Sequence, residues 1–565
     1  MKRGTVLALI AAAWVGVSWA AFRATISPEP ALSRYVPSGA LLYLQAKDFS
    51  SLLSDWDKSD EKQLWLKSGN YDVFSRSRLF LRLKDASTEF STAAGIPADA
   101  DLLRQVAGKQ SALAIFDIGK LQFLYITRLP SASAMQSTLW QTRSKFETRS
   151  AAGATFFVRR DLGSEREVAF AIDGDYLLLA TREDLLAGAL ELMASSGGHS
   201  IETERWWSQS VAAAGAEGDL RMVLNLEKIV PSPYFRSYWV QQNVTEMKQY
   251  SAAISDLIRS GNEYREERVL VRKVFATGET SGNDGPADVA DILRLVPTQA
   301  SVYEAKANPA PAESLALLEN KILAPHSGAG VPEKLAPDVQ LTNGETGADA
   351  DLETRIDQPS VNASGEADSS TPLKELLTNN PASAILEVQS SALGKDGVFI
   401  HVHSAVAFLG NSNWDEATVR SSLADFVRPS LTEGKLGVEW QKNDGYIELN
   451  GLWRLTVAVR EKYLFISDDA GLLTGLLANM SKNATLKPAV FAARFDHQHE
   501  RDNFARLTGI LDKSSSDVSA GRTPNFFSEN IGSLSSALAN LASEEIVIRD
   551  AGDKVSETVT YKWAR

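Results

Sequence analysis

An internal repeat is the feature that most constrains how this 565-residue chain can fold. The motif Arg-x-Val-Pro-x-x-Ala-x-x-Tyr occurs at 34–43 and again at 294–303. Further on, a Tyr-Leu run that continues into a Leu-rich segment occurs at 176–193 and again at 463–480. Landmarks that recur in the same order are typical of duplicated structural units.

We therefore predict two tandem homologous units, one over 28–285 and the other over 286–565. Within the first, short β-branched and aromatic runs at 154–159, 166–172 and 176–181 are separated by only a few residues. Such short links join antiparallel neighbours, because a parallel crossover needs a dozen residues or more. The predicted fold class is α+β: a mostly antiparallel sheet with helices packed on it, made twice.

The second unit contains one stretch of different composition, at 325–371. It is rich in Gly, Ala, Ser, Pro, Asp and Glu and has few large apolar residues. Because such a stretch buries too little surface to offset its ordering entropy, we predict a disordered acidic insertion. It would replace the helical region after the first strand of the first unit, and either a partner-docking role or a tolerated surface loop fits it.

The N-terminus predicts export. Lys2 and Arg3 precede an uncharged run over 4–22, which as a helix is about 28 Å long, close to the roughly 30 Å of a bilayer core. Ser18-Trp19-Ala20 also fits a signal-peptidase site. Residues 1–27 are thus predicted to be a signal anchor or a signal peptide. We expect a single pass through the inner membrane with the C-terminal body in the periplasm or extracytoplasmic space.

Composition narrows the functional classes. With 58 Lys and Arg against 71 Asp and Glu, the net charge is −13, which disfavours nucleic-acid binding. The absence of cysteine excludes disulfides, thiol nucleophiles, iron–sulfur clusters and cysteine zinc sites. No Gly-x-Ser-x-Gly nucleophile motif occurs. The sequence favours a non-enzymatic scaffold or binding protein of the cell envelope, without a cofactor and with an envelope protein as a possible partner.

A metal-dependent extracytoplasmic hydrolase is the alternative. Four of the six histidines form two His-x-His pairs: His401, His403, His497 and His499. Imidazole is a common zinc ligand, and alternate residues of a strand share a face. Against a metal site, an ungapped pairing of the repeats places Leu124 and Ile126 where the second unit has His401 and His403. Solvated surface histidines are the competing interpretation.

Aromatic residues suggest a binding surface. Trp206-Trp207 and the run 234–239 flank a predicted strand at 220–227. Aromatic residues with polar tips are common at partner surfaces, but they also fill cores where a helix meets a sheet. A carrier of an apolar ligand, held in a cleft between the units, is a third functional hypothesis.

Ser59 and Lys62 fit the Ser-x-x-Lys pattern of penicillin-interacting enzymes. The accompanying Ser-Asp-Asn and Lys-Thr-Gly motifs do not occur, and the pair falls in a charged helical segment. We interpret it as a feature of the helix.

Taken together, three features resemble a group of bacterial exported proteins with duplicated α+β units of unknown function. They are the charged start with its apolar run, the motif at 36–43 and 296–303, and the Tyr-Leu strand beginning at Tyr176 and Tyr463. The resemblance implies a bacterial, extracytoplasmic setting and supplies no catalytic residues.

Overall fold

The structure is a computed structural model, and it describes residues 30–163, 166–195, 198–232, 247–273, 288–323, 371–393, 400–432, 440–449, 454–483, 487–501 and 540–564. The predicted leader, 1–27, lies outside these ranges. So does the predicted insertion, 325–371, apart from Thr371, which begins a helix. Among the helices that are described, none has both the length and the apolar character needed to cross a bilayer.

Two compact units make up the chain. They comprise Met1–Lys62, Val73–Ile258 and Arg268–Lys273 in the first, and Gln63–Asp72, Arg259–Glu267 and Val274–Arg565 in the second.

The first half of the chain alternates strands with short helices. Its strands are β1 (Leu42–Ala46), β2 (Ser111–Asp117), β3 (Gln122–Arg128), β4 (Glu147–Ala151), β5 (Ala154–Arg160), β6 (Glu167–Asp173), β7 (Tyr176–Ala180), β8 (Leu220–Asn225), β9 (Tyr250–Ser260) and β10 (Glu263–Arg272). Its helices are α1 (Phe49–Lys58), α2 (Asp60–Lys67), α3 (Gly69–Ser75), α4 (Arg78–Ala94), α5 (Ala100–Val106), α6 (Ser131–Ala134), α7 (Thr138–Gln141), α8 (Glu183–Ala194), α9 (Arg205–Ala213) and α10 (Leu226–Ile229). The strand order is β10-β9-β8-β1-β2-β3-β7-β6-β5-β4, antiparallel at every pair from β9 to β4.

The second half has fewer described helices. Its strands are β11 (Val302–Ala307), β12 (Ala382–Leu393), β13 (Ile400–Gly410), β14 (Trp440–Lys442), β15 (Ile447–Leu449), β16 (Leu455–Arg460), β17 (Tyr463–Ser467), β18 (Phe491–Asp496), β19 (Leu541–Asp550) and β20 (Lys554–Trp563). Its helices are α11 (Ala290–Leu293), α12 (Pro311–Leu318), α13 (Thr371–Asn379), α14 (Glu416–Thr432) and α15 (Ala470–Ala478). The strand order is β20-β19-β18-β11-β12-β13-β17-β16-β15-β14, antiparallel at every pair.

The predicted α+β class, with helices on an antiparallel sheet, is confirmed. When the strands of each half are numbered in chain order, they lie in the same spatial order across the sheet. The tyrosine of the repeated motif occupies the same position in both: Tyr43 lies between Ala114 and Val223. Tyr303 lies between Val388 and Arg494.

Contacts within each unit explain the repeated motifs. A Cβ placed on Gly188 in α8 would lie 3.1 Å from Pro37 Cγ, and one on Gly475 in α15 would lie 2.9 Å from Pro297 Cβ. These glycines therefore let a leucine-rich helix approach the proline of the motif. The two landmarks found in the sequence pack against each other in both units.

In each unit both faces of the sheet are covered, since side chains alternate along a strand. In the first unit, Leu124 and Ile126 of β3 face a core formed with α8 and α9, whereas Tyr125 faces a core formed with α4 to α7. In the second unit, one face packs against α11 and α15 and the other against α12, α13 and α14.

Candidate functional site

The four histidines of the metal hypothesis do not form a common site. His403 Nδ1 lies 3.6 Å from Asp468 Oδ1, while His497 Nε2 lies 3.5 Å from Glu544 Oε2. His499 Nε2 is 3.0 Å from the Ser391 carbonyl oxygen. No three His, Asp or Glu side chains in the described ranges gather where one metal ion could bind them. The hydrolase alternative therefore has no ligand set in this part of the chain.

Strand pairing corrects the register assumed for β13. Arg128 lies opposite Tyr176, and Leu409 lies opposite Tyr463, so Arg128 and Leu409 occupy matching positions. Six residues earlier, His403 matches Gln122 and not Ile126. The ungapped pairing was wrong because β13 begins at Ile400, before His403, whereas β3 begins only at Gln122, the residue that matches His403.

The remaining sequence candidates are structural. Trp206 and Trp207 are buried, and the Trp207 ring meets the Tyr43 ring edge-on at 4.9 Å. Ser59 Oγ accepts the Lys62 N–H at 3.2 Å, and the Lys62 ammonium pairs with Asp57. These residues stabilise the core and the start of α2. The predicted aromatic run 234–239 lies outside the described residues.

A pocket of about 680 Å³ lies in the first unit, between α4, α5 and the sheet. Such a volume is typical of small-molecule sites. The residues that form it are mostly apolar: Leu83, Ala86, Phe90, Ala93, Ala98, Ala100, Leu102, Leu103, Val106, Leu113, Ile115, Leu121, Phe123, Val168 and Leu179. The polar contributors are Ser87, Glu89, Asp99, Lys120, Arg166, Glu167 and Thr181.

Local signals in the sequence position the helices that cover the pocket. Ser77 caps α4 by accepting the Phe80 N–H, and Gly95 ends it with a left-handed φ of 69°. Asp99 caps α5 by accepting the N–H groups of Asp101 and Leu102. The short segment between Gly95 and Asp99 thus turns the chain sharply, and α4 and α5 form two walls of one pocket.

Small residues account for the space. Ala86 and Ala93 on α4, Ala98 in the link and Ala100 at the start of α5 all line the pocket. Leu83 and Leu103 lie at its rim and are 50% and 41% exposed. Exposed leucines beside an unfilled apolar pocket indicate a surface that a ligand could cover.

Charged side chains cluster along one edge of the pocket. Arg166 Nη2 lies 2.5 Å from Glu89 Oε2, and its other terminal nitrogen donates to the Lys120 carbonyl. Glu167 Oε1 accepts the Glu183 N–H at 2.6 Å. Burial is the main cause that raises the pKa of the Glu167 carboxyl, and the like charge of Glu183 adds to it.

Lys120 lies in the turn between β2 and β3. Asp117 and Gln122 are paired across the strands, so this turn spans four residues, with Leu121 at a φ of 49°. Asp117 Oδ1 accepts the Lys120 N–H at 2.9 Å and thereby fixes the turn, while the Lys120 side chain is exposed at the pocket edge.

The sequence reasoning missed this site. The helical region predicted after the first strand contains five helices, and how they pack was not predicted. The usable signal was the run of small residues at 86, 93, 94, 98 and 100, facing apolar strands. Every residue that lines this pocket belongs to the first unit, whereas the carrier hypothesis placed its ligand in a cleft between the units.

Comparison with known proteins gives little help. No family model and no curated protein matches this chain. Among solved structures, crystal form IV of TP0453 is similar over 44% of this chain and 82% of its own, with 11% identity and a TM-score of 0.24. Crystal form III is similar over 45% and 84%, with 10% identity and a TM-score of 0.23. At such TM-scores these matches establish neither a shared fold nor a shared function.

Proposed function

We propose that this chain is an extracytoplasmic, membrane-tethered binding protein whose first unit holds an apolar ligand in the pocket between α4, α5 and the sheet. The observation that carries the proposal is that pocket, about 680 Å³ in volume and lined mainly by aliphatic and aromatic side chains. Burying an apolar ligand there would cover the exposed rim leucines, Leu83 and Leu103, and so gain hydrophobic free energy.

The polar groups in the walls favour binding over catalysis. Ser87 Oγ donates to the Ala98 carbonyl at 2.9 Å, so the hydroxyl joins α4 to the start of α5. Thr181 Oγ1 accepts the Phe123 N–H at 2.8 Å. A hydroxyl nucleophile needs a neighbouring general base, and here both hydroxyls bond to the backbone.

The cellular setting is part of the same proposal and is supported by the sequence. Lys2 and Arg3 before the apolar run 4–22 are typical of an exported or anchored chain. An envelope protein is a possible partner of the exported body. We also infer that the two units arose by duplication, and the matching positions of Tyr43 and Tyr303 support this inference.

A neutral fluorescent probe tests the binding function. The full chain, kept in solution by an amphipol, is titrated with N-phenyl-1-naphthylamine, whose emission rises in an apolar environment. We expect saturable binding to one site, and Ala86→Trp, which fills the pocket, to weaken it about tenfold. Ala86→Leu should give an intermediate loss.

The matched control is Thr88→Trp, on the same helix but exposed to solvent. It should bind the probe like the wild type. Circular dichroism verifies that each variant is folded. Equal binding by the wild type and a folded Ala86→Trp or Ala86→Leu variant would place the probe elsewhere and refute the proposed function.

A further inference from the structure

The charge at the pocket edge suggests the class of ligand. We propose, on the basis of the proposed function, that the ligand is an anionic amphiphile whose alkyl chain fills the pocket and whose head group binds Lys120. The shared chemistry is a single alkyl chain with a carboxylate or a phosphate at its end. Such a molecule needs an apolar volume and a cation at its border, and the first unit provides both.

The distribution of polar groups gives the ligand a direction. Lys120, Leu121, Arg166 and Thr181 all line the pocket and lie together, since Arg166 bonds the Lys120 carbonyl. Thr181 Oγ1 lies 3.5 Å from the Leu121 carbonyl oxygen. At the α5 side, by contrast, the helix lines the pocket with Ala100, Leu102, Leu103 and Val106. The two polar groups there are engaged with the backbone, since Asp99 accepts the Asp101 and Leu102 N–H groups and Ser87 donates to the Ala98 carbonyl. A ligand with one polar end would therefore orient its head toward the β2–β3 turn.

Among the residues that the structure describes, the charges at this edge do not all balance. Glu89 is neutralised by Arg166 at 2.5 Å. Glu167 accepts the Glu183 N–H and lies 3.4 Å from Arg160 Nε. Lys120 is the other cation lining the pocket, and within the described residues no carboxylate lies within ion-pair distance of its ammonium group. The acidic group nearest in sequence, Asp117, does not line the pocket and holds the turn backbone.

An ammonium at the edge of an apolar pocket favours an anion more than it would in open water. Ion pairs there are less screened, and charge-assisted hydrogen bonds are stronger than neutral ones. A cationic head group would instead be repelled by Lys120, and a neutral alcohol would gain only an ordinary hydrogen bond. The structure therefore assigns head-group selectivity to Lys120 and chain affinity to the apolar walls.

The test compares amphiphiles that share one chain and differ in head group. Dodecanoate, dodecyl phosphate, 1-dodecanol and dodecyltrimethylammonium compete with N-phenyl-1-naphthylamine on the full chain, each below its micellar concentration. We expect the two anions to compete about tenfold better than the alcohol at low salt, and the cation to compete worst. The carboxylate and phosphate arms tell which anion the edge prefers.

Substitution at Lys120 isolates the head-group effect. Lys120→Gln should abolish the advantage of the anions and leave competition by 1-dodecanol unchanged, while Lys120→Arg should retain it. Lys109→Gln, at an exposed lysine outside the pocket lining, is the matched control and should change nothing.

The outcomes separate the two proposals. If 1-dodecanol competes as well as dodecanoate on the wild type, the anionic ligand is wrong, while probe binding sensitive to Ala86→Trp keeps the proposed function intact. The anionic ligand is equally wrong if Lys120→Gln lowers competition by every amphiphile to the same extent. If the probe itself does not bind the wild type, both proposals fail together.

Discussion

The two units have the same strand order but cover one matching sheet face differently. In the second unit, large side chains of α12, α13 and α14 pack against this face, and Phe408 of β13 and Leu318 of α12 are fully buried there. In the first unit, the matching face meets alanines of α4 and α5 and retains a pocket. The same strand order is thus compatible with a filled face in one unit and with a pocket in the other.

A second difference between the units lies in the strand pairs β8–β9 and β18–β19. Arg221 in β8 and Asp256 in β9 form a buried, bidentate ion pair at 2.8 and 2.9 Å. Arg221 pairs with Gln45 of β1, and the residue of β11 that matches Gln45 is Ala305. Ala305 pairs with Ala492, which in turn pairs with Val547. The second unit therefore has two apolar residues where the first has an ion pair.

Replacing a phenylalanine on the matching sheet faces by alanine should give the largest difference in stability between the two units. Phe408→Ala opens a cavity in a filled core, and we expect the free energy of unfolding of the second unit to fall by about 3–5 kcal/mol. Phe90→Ala enlarges a pocket that already exists and should cost only about 1 kcal/mol. Urea unfolding of the full chain, followed by hydrogen exchange of each unit, measures both. Equal losses would mean that the first face is as tightly packed as the second.

The ion pair should respond differently to single and double replacement. Arg221→Ala leaves the Asp256 carboxylate buried without its partner, so we expect a loss of about 3 kcal/mol in the first unit. Arg221→Ala combined with Asp256→Val reproduces the apolar pair of the second unit and should recover part of that loss, because the buried Gly218 N–H also loses its acceptor, Asp256 Oδ1. Denaturant unfolding of both variants gives the numbers. A double variant less stable than the single one would show that the charges are required.

The glycines at the proline contact should tolerate alanine unequally. In Gly475→Ala the new methyl group meets Pro297 Cβ at 2.9 Å and Gln299 Nε2 at 2.6 Å, so overpacking should cost about 1–2 kcal/mol. Gly188→Ala meets only Pro37, at 3.1 Å from Cγ, and should cost less, because its contact is longer and alanine favours the helix at both positions. Thermal unfolding compares them, with Thr474→Ala, an exposed neighbour on α15, as the control. Stabilisation by Gly475→Ala would contradict the close packing.

The smallest expected effect concerns pH. The Asp468 carboxylate raises the pKa of His403 above its ordinary value, more than partial burial lowers it. The stabilisation is therefore complete below about pH 6.5, where the unfolded histidine is protonated, and is lost as pH rises through the higher folded pKa. Because the ring is partly exposed to solvent, the effect should stay below about 1 kcal/mol.

His403→Gln, which places the Gln122 residue type at the matching position, should remove this pH dependence. His401→Gln, whose ring lies 6.2 Å away on the same face, is the control. Unfolding free energies measured between pH 5 and pH 8 compare the pH dependence of the two variants with that of the wild type. An unchanged pH profile in His403→Gln would mean that Asp468 does not hold the protonated ring.

The sequence predicted the features that depend on local pattern. Short links between 154 and 181 required antiparallel strands, and the ladder from β5 to β7 has them. From the sequence, Trp206 and Trp207 fit either a surface or the core. The contact of Trp207 with Tyr43 in the structure shows that they belong to the core.

The pocket could not be predicted in the same way. Its existence depends on how α4 and α5 diverge around Gly95 and on which alanines face the sheet, and neither follows from hydrophobic periodicity. The register of His403 failed for a related reason. An ungapped pairing ignores a difference in turn length that only the partner strands reveal.

Photolabelling most directly tests the central claim, that the pocket between α4, α5 and the sheet takes up an apolar ligand, whereas the matching face in the described part of the second unit is packed. A long-chain alcohol carrying a diazirine is added to membranes containing the full chain, and tryptic peptides are mapped by mass spectrometry. We predict that labelling of the sheet-covering helices concentrates on the peptide 85–104, which spans most of α4 and α5, and falls in Ala86→Trp. Equal labelling of the two peptides that carry Leu373 and Leu377 of α13, or labelling of 85–104 that Ala86→Trp does not reduce, would contradict the account.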